Sequence, residues 1–406
     1  MKTLFIIAWR NIWRHPARSG VLLAAIIVGL CAGILFVGTI NGLLDQRVDY
    51  LIETEITHAQ VHHPQFQAEG FSWMYIEDHD QISSWLNNDP RVQSHTSRTI
   101  TDGMLRSPIK TSGIRIRGID VESEIRTTTF HENMVSGEYL DTDMPNAVII
   151  GKSLAESHNL RTGNRLVLTF EDTQNQLTSG AFNISGKFES ASTDYDEHNV
   201  FVRSNDLIEI LAEKPVYHEI GIMLTHVDQA DSVVADLNSN FDGINAQTWR
   251  QLSPELNMIV EMGDFMMFLI TIIIMTALAF GILNTMLMAL FERMREIGML
   301  LSIGMSRLRV FLMIMLESVL LTAAGAAAGM VLAIISIHLL SETGINFEMF
   351  AEGVAEIGFD YIIYPVLSTN DYIGIGAVVI TITILASLYP AIRAIRIDPL
   401  EAAKDA

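Results

Sequence analysis

The sequence predicts an α-helical membrane protein with four transmembrane helices and a large mixed α/β periplasmic domain inserted between helices 1 and 2. Three observations predict this fold class. Four apolar runs can each cross a hydrocarbon core of roughly 30 Å as a helix. A polar insert of more than 200 residues separates the first two runs, and its apolar segments alternate in the manner of β-strands. Basic residues concentrate in the short segments expected on one side of the membrane.

The four membrane spans are predicted at residues 20–42, 262–291, 310–340 and 372–392. The first run could also be a cleaved signal peptide, but it is long for one. VGTINGLLDQ also offers no small-x-small cleavage site, and both facts favour a retained anchor. Its Cys31 is the only cysteine, so no disulfide can form within one chain.

Charge predicts the orientation of the chain. Residues 43–264 hold 15 basic and 35 acidic residues, whereas residues 1–19 hold four basic residues and no acid. Residues 292–309 hold four basic residues and two acids. The positive-inside rule therefore predicts that both termini and residues 292–309 are cytoplasmic and that the insert is external. So acidic an insert would repel phosphate, and we expect no binding to nucleic acid.

The segments outside the spans have their own patterns. Residues 1–19 predict an amphipathic helix in the cytoplasmic interface, with Arg10 and Arg14 on its polar side. Its apolar side consists of Phe5, Ile6, Trp9, Ile12 and Trp13. Residues 43–261 predict the α/β domain, because GIRIRGID, AVIIG, RLVLTF, AFNISGKF and NVFVRS have strand patterns and GKSLAESHNL a short helical one. Residues 341–371 predict an acidic periplasmic loop, and residues 393–406 a cytoplasmic tail.

Two segments imitate catalytic or metal-binding motifs. NAVIIGKSLA places Gly-Lys-Ser between a strand and a helix, but a phosphate-binding loop needs glycine where Asn146 stands. His58, His62 and His63 could bind zinc from a helix, yet their alternation before Pro64 favours a strand with ordinary surface histidines. We therefore expect no catalytic residues and no metal site, and the spans favour a transport or signalling subunit.

The segment LFERMREIGMLLSIGMSRLRVF combines charge with helical periodicity between spans 2 and 3. Glu292 and Arg295 are three residues apart and can form a weak surface pair. A positive loop needs only arginines, whereas an amphipathic helix with two acids suits a groove on a cytoplasmic partner. On a helix that starts at Phe291, the predicted apolar stripe consists of Met294, Ile297, Leu300 and Leu301.

Within this segment, ERMREIGMLLSIGMSRLRV resembles the cytoplasmic signature of FtsX-like ABC permeases, with Ser302 where the signature has alanine. The resemblance continues through FLMIMLESVLLTAAGAAAG and SLYPAIRAIRIDPLEA. It implies a non-catalytic permease subunit that pairs with an identical or different permease and binds a cytoplasmic ABC ATPase dimer. That ATPase, on a separate chain, carries ATP and Mg²⁺, so no cofactor is expected on this chain.

In that family, residues 292–309 correspond to the coupling helix and loop that dock into the ATPase. The residues that the resemblance assigns to docking are Glu292, Arg293, Arg295, Glu296, Ile297, Gly298 and Arg307.

The insert resembles the MacB-like periplasmic core domain shared by lipoprotein-releasing permeases and macrolide-exporter-type pumps, through VSGEYL, AVIIGKSLAESHNLRTGNRLVL, FNISGKF and HNVFVRSNDL. The GTINGLLDQ exit from span 1, and a first span with no nucleotide-binding domain before it, favour the lipoprotein-releasing (LolC/LolE-type) branch. In that branch a hairpin after the GNRLVL-like strand recruits a carrier chaperone. The matching residues 171–181 are short, and a chaperone is a further candidate partner.

Small residues at four-residue spacing predict close helix packing in the spans. The glycines concerned are Gly29, Gly33, Gly281, Gly325 and Gly329. Glu317 is the only acid well inside a span, and such a carboxylate is costly and often functional, although it could simply reach toward the cytoplasmic interface.

The resulting hypothesis is a permease of the bacterial inner membrane that couples ATP hydrolysis to periplasmic-domain motion and extracts lipoproteins. An apolar cavity between spans 1 and 2 of two protomers would hold the acyl chains. Its candidate lining residues are Val28, Ile34, Leu35, Phe36, Met266, Leu269 and Ile273. Two alternatives stay open: a mechanical regulator of a periplasmic cell-wall hydrolase, and an exporter of a small amphiphile with an adaptor or tunnel partner.

Overall fold

The computed structural model describes Arg10, Arg14 and residues 16–140, 144–347 and 362–396. The chain divides into two compact units, of which residues 46–259 form one and the helical segments on either side form the other. The helices are α1 (Pro16–Leu51), α2 (Phe66–Glu69), α3 (His79–Asn88), α4 (Val121–Thr127), α5 (Lys152–Ser157), α6 (Thr193–His198), α7 (Ser204–Leu211), α8 (Ala230–Asn240), α9 (Trp249–Leu252), α10 (Pro254–Glu292), α11 (Met294–Ser302), α12 (Arg307–Thr343) and α13 (Thr369–Ile395).

The strands are β1 (Ala59–His62), β2 (Val92–Arg106), β3 (Thr111–Ile119), β4 (Met134–Gly137), β5 (Ala147–Gly151), β6 (Arg165–Glu171), β7 (Leu177–Phe188), β8 (Asn199–Arg203), β9 (Glu219–Leu224), β10 (Asn245–Thr248), β11 (Ile345–Asn346) and β12 (Ile362–Ile363). The last two pair with each other beyond α12. The other ten belong to one sheet.

Four helices in the described residues are long and apolar enough to cross a membrane: α1, α10, α12 and α13. Each is longer than its apolar run, since α10 has 39 residues where about 20 suffice. The helices therefore start before and end after the predicted spans. Residues 43–51, which the sequence pattern assigned to the insert, continue α1. Most of the predicted interfacial helix (1–19), residues 348–361 of the predicted loop (341–371) and most of the predicted tail (393–406) lie outside the described residues. The described ends of that loop belong to α12, β11, β12 and α13, and the tail begins inside α13.

Local signals explain several helix ends. Ser368 and Asp371 form a capping box at the start of α13, with the Ser368 N–H donating to Asp371 Oδ2 at 3.0 Å. α10 starts with Pro254, whose missing N–H costs nothing at the first helical position. The start of α13 therefore lies three residues before the predicted start of the fourth span.

The sheet of the 46–259 unit has the order β10-β1-β9-β2-β3-β8-β5-β7-β4. β6 pairs with both β2 and β7, so β2, β3, β8, β5, β7 and β6 close into a six-stranded ring. The ring holds a core of alternating inward residues such as Leu105, Ile116 and Phe182. β2 belongs to both parts of the sheet. Its first residues pair with β9, next to β1 and β10, and its last residues pair with β6 in the ring. The predicted fold class, with four apolar helices and a mixed α/β domain between the first two, is confirmed.

A buried ion network occupies the centre of β2. The Arg98 guanidinium donates to Glu124 Oε1 at 2.6 Å and to Glu219 Oε1, and all three side chains are almost fully buried. Burial by itself would raise the pKa of Glu219, but Arg98, with His62 and Arg117, holds it far below its ordinary value. Glu219 Oε2 also lies 3.2 Å from His62 Nε2. This network joins β1, β2, β9 and α4.

Of the three histidines, His62 lies in β1, while His58 and the partly exposed His63 flank the strand. His62 is 2% exposed and belongs to the ion network, so the surface interpretation is wrong for this residue. His58 is half-buried and its Nδ1 accepts the Leu224 N–H at 2.9 Å. The reason is that β1 is an interior strand, paired with β10 on one side and β9 on the other. In the described residues no three His, Cys, Asp or Glu side chains converge in a way that could hold a metal ion.

The Gly-Lys-Ser segment has a packing explanation. Gly151 ends β5, and a Cβ there would collide with the backbone of Asp196 in α6. The next residue, Lys152, points to Glu189, with Nζ and Oε1 at 2.8 Å. The glycine therefore permits close approach of β5 to α6, and the segment needs no phosphate to account for it.

Candidate coupling site

The segment between α10 and α12 forms a separate short helix. α10 ends at Glu292, Arg293 leaves the helical conformation, and α11 follows over nine residues. The helix therefore starts at Met294, three residues later than the stripe counted from Phe291. It ends at a tight turn in which Gly304 has φ +98° and donates to the Leu301 carbonyl, a conformation that favours glycine. The turn returns the chain to α12 at Arg307.

One face of α11 packs on the membrane helices. Ile297 is 3% exposed and lies in an apolar cluster with residues of α10, α12 and α13, among them Leu290, Val310 and Ala394. Gly298 is also buried. The family resemblance predicts that Ile297 and Gly298 dock into the ATPase. Their placement corrects that assignment, because they face the bundle of their own chain and fix α11 on it.

The opposite face of the segment carries exposed residues. Glu292, Arg295 and Arg307 are exposed, as expected for contact with a partner. The sequence pattern missed an exposed apolar group, Met299, Ile303 and Leu308, of which Ile303 is 85% exposed. The spacing of Met299 and Ile303, four residues apart, could have indicated them. The predicted apolar stripe through Ile297 and Leu301 packs toward the bundle instead.

The charges of the segment are tied to several helices. Arg293 Nε donates to Glu296 Oε2 at 3.2 Å, and Arg293 Nη1 donates to both carboxylate oxygens of Glu317 in α12 at 3.1 Å. Arg14 lies 3.3 Å from Glu296 Oε1. The Arg393 guanidinium of α13 lies 4.9 Å from the centre of the Phe291 ring. Residues of the coupling segment thus contact groups on the helices that surround it.

The predicted packing glycines fall into two groups. A Cβ on Gly29 or Gly33 would contact Leu278 or Ile274 of α10, and one on Gly325 would contact Ile26 of α1. At Gly329 it would lie 3.2 Å from the backbone of Ile27. These four glycines pack helices within the chain. Gly281 faces open space among the described residues and contributes to no such contact.

The candidate acyl-chain residues also divide. Ile34 is fully buried in the cluster around Leu30 and Cys31 and offers no surface to a ligand, and Leu35 is half-buried against the same cluster. The other five lie exposed on α1 and α10, with Ile273 66% exposed. The exposed members are Val28, Phe36, Met266, Leu269 and Ile273.

Comparison with known proteins identifies the class to which this arrangement belongs. Residues 19–240 match the family model of the MacB-like periplasmic core domain, and residues 268–399 match that of the FtsX-like permease C-terminal region. The chain belongs to the FtsX-like ABC transporter permeases with a MacB-like periplasmic core domain. It is accordingly a permease-type subunit of the inner membrane, from a family whose members work with a cytoplasmic ATPase.

Two named relatives and one solved structure are similar to this chain. It is 22% identical over 396 residues to the lipoprotein-releasing system transmembrane protein LolC of Xylella fastidiosa, covering 93% of this chain and 92% of the relative. It is 29% identical over 122 residues to the macrolide export ATP-binding/permease protein MacB of Shewanella oneidensis, covering 30% of this chain and 16% of the relative. The periplasmic region of MacB from Actinobacillus actinomycetemcomitans matches with a TM-score of 0.35 and 12% identity, over 52% of this chain and 98% of that one.

Proposed function

We propose that the chain is the permease subunit of a lipoprotein-releasing ABC transporter. A separate ATPase, which binds ATP and Mg²⁺, docks on the exposed face of α11, and its hydrolysis cycle moves the periplasmic domain. The N- and C-termini are cytoplasmic in this arrangement. The observation that carries the proposal is a coupling helix with one face packed on the membrane helices and the other exposing Met299, Ile303 and Arg295. Exposed apolar residues on a short helix suit insertion into a partner's groove.

Replacing Ile303 by aspartate should weaken docking of the ATPase at least tenfold. Burial of an isoleucine contributes roughly 1.5–3 kcal/mol, and each 1.4 kcal/mol is a factor of about ten in affinity. Because Ile303 is 85% exposed, the chain itself should fold unchanged. The affinity is measured by titrating a purified ABC ATPase of a lipoprotein-releasing system onto the permease in nanodiscs. Acidic substitutions leave membrane orientation largely unaffected, which favours aspartate over reversal of an arginine.

The matched control is Ile109→Asp, an exposed isoleucine in the turn between β2 and β3. It should keep the affinity of the wild type. A cysteine introduced at position 302, in a Cys31→Ser background, is labelled with a membrane-impermeant thiol reagent. The labelling shows on which side of the membrane residue 302 lies. Equal affinity for Ile303→Asp and wild type, or labelling of residue 302 from the periplasmic side, would contradict the docking role.

The lipoprotein cargo is supported by the 22% identity to the lipoprotein-releasing relative over nearly the whole chain. The exposed residues of α1 and α10 offer apolar surface for acyl chains, where each buried CH₂ gains about 0.8 kcal/mol. A second permease subunit, identical or different, would complete the cavity, and a periplasmic carrier chaperone would receive the product.

A photoreactive residue at position 273 should crosslink to acylated lipoprotein in cells, and one at position 335 should not. Ile273 and Ile335 are both exposed isoleucines of membrane helices, on α10 and α12 respectively, so general contact with lipid is common to both. Mass spectrometry identifies the captured species. Equal capture at the two positions would contradict a specific cavity. A small amphiphile captured at 273 would instead favour an exporter, the second candidate, which the 29% identity to the macrolide exporter over 122 residues supports.

A further inference from the structure

The ion pair between Arg293 and Glu317 differs from the other charged contacts of the coupling segment. The Arg293 and Glu317 side chains are only 14% and 17% exposed, whereas those of Arg14 and Glu296 are 64% and 36% exposed. Arg293 Nη1 lies 3.1 Å from each oxygen of the Glu317 carboxylate. An exposed pair contributes little, because solvent screens it and side-chain entropy opposes it. A half-buried pair of this geometry constrains its two helices more strongly.

The position of Glu317 makes this pair unexpected on grounds of stability alone. The carboxylate lies ten residues after the start of α12, about 15 Å along the helix, in a stretch with the buried apolar residues Met313, Ile314 and Leu321. A carboxylate in a membrane span is expensive, and apolar residues would pack there at no such cost. Two structural roles were open for Glu317: reaching toward the interface, or serving a functional contact. The contact of Arg293 Nη1 with both carboxylate oxygens favours the functional contact.

Arg293 occupies the break between α10 and α11. Its own N–H donates to the Leu290 carbonyl, and its carbonyl accepts the Ile297 N–H, so its backbone belongs to both helices. The side chain reaches from this break to a third helix, α12. A displacement of α11 would therefore act on Glu317 directly, without passing through the loop at residues 303–306.

We propose that Arg293 and Glu317 are positioning residues that lock the coupling helix to the third membrane span, so that α11 and α12 move together. The proposal rests on the proposed function, because an ATPase must supply the displacement. The Arg293–Glu317 contact lies within this chain, so its effect on α11 can be tested without the ATPase. Its chemical requirement is a pair of opposite charges, in either order, across the two positions.

Hydrogen exchange of the full chain in nanodiscs tests the lock. Glu317→Gln and Arg293→Gln should each reduce the protection of amides in residues 294–302 by about tenfold or more, because each removes the ion pair that joins the break before α11 to α12. The exchanged pair Arg293→Glu with Glu317→Arg should recover part of the lost protection, since the ion pair to α12 returns while the contact with Glu296 does not. Glu342→Gln, an exposed acid at the other end of α12, should change nothing. Unchanged protection in both single variants, or no recovery in the exchanged pair, would overturn the proposal.

A second readout separates positioning from a purely structural role. Purified ABC ATPase of a lipoprotein-releasing system, trapped with Mg-ATP and vanadate, should change exchange in residues 310–325 of the wild type. In Glu317→Gln the ATPase should bind with the same affinity, within about twofold, and the change in α12 should disappear. An unaltered α12 response in Glu317→Gln would overturn the lock, whereas failure of the ATPase to bind the wild type would overturn the proposed function and leave the first experiment valid.

Discussion

Replacing Arg98 by methionine should lower the free energy of unfolding of the periplasmic domain by about 3–5 kcal/mol. The variant leaves Glu124 and Glu219 buried without the guanidinium that binds both. Removing one partner of a buried ion network costs more than the network contributes, because the remaining charges cannot return to water. The measurement is urea unfolding of the full chain in detergent, followed by fluorescence of Trp73, Trp85 and Trp249, which all lie in this domain.

The matched control for Arg98 is Arg115→Met. Arg115 also lies in the central sheet and binds a carboxylate, with Nε 2.8 Å from Asp102 Oδ1, but its side chain is 47% exposed. An exposed pair of this kind contributes about 1 kcal/mol or less. A loss for Arg98→Met no larger than that for Arg115→Met would show that the network is not a centre of stability. Neutralising Glu124 and Glu219 together in the Arg98→Met background should restore part of the loss, because no buried carboxylate then lacks the Arg98 guanidinium.

Sequence patterns predicted the strands whose buried residues are apolar. β5 and β8 are short apolar runs, and β3 and β6 alternate between inward and outward residues. β2, the longest strand, was missed because its first half, VQSHTSRT, is polar in sequence. Thr96, Arg98 and Thr99 of this half are buried, and their side chains bond to groups distant in the chain, as Arg98 does to Glu219. A local pattern cannot reveal such pairing, since hydrophobic periodicity records only the apolar side of burial.

The coupling site divides in the same way. The sequence of residues 292–309 is enough to predict that a charged coupling helix exists. Both signals used, helical periodicity and the family signature, lie within this short segment. The sequence does not reveal which face of α11 is turned inward, since this depends on how the helix packs on α10, α12 and α13. For this reason Ile297 turned inward and Ile303 outward. The partner of Glu317 lies 24 residues earlier in the chain and depends on how α10, α11 and α12 pack.

Acid should weaken the periplasmic domain through His218. Burial lowers the pKa of this ring from 6.5 to about 4. Its Nδ1 accepts the Ile100 N–H at 3.1 Å, and its Nε2 donates to the Ser72 carbonyl at 2.8 Å, so the geometry requires the neutral ring. Between these two pKa values the unfolded chain binds the proton and the folded chain does not. The contribution of His218 is therefore complete above about pH 6.5 and is lost as the pH falls toward 4, by about 3 kcal/mol in total.

The comparison that isolates this effect is wild type against His218→Gln, by urea unfolding at several pH values between 4 and 7. Other groups titrate in the same range, and Asp196 acts with the opposite sign, because burial raises its pKa to about 6 and the folded chain then binds the extra proton. These groups are present in both wild type and His218→Gln, so their contributions cancel when the two free energies of unfolding are subtracted. Glutamine can accept from Ile100 or donate to Ser72 but carries no charge. The free energy of unfolding of the wild type should therefore exceed that of the variant by less as the pH falls. A difference that does not change with pH would mean that the His218 ring is already protonated in the folded protein, or that it stays neutral in the unfolded chain.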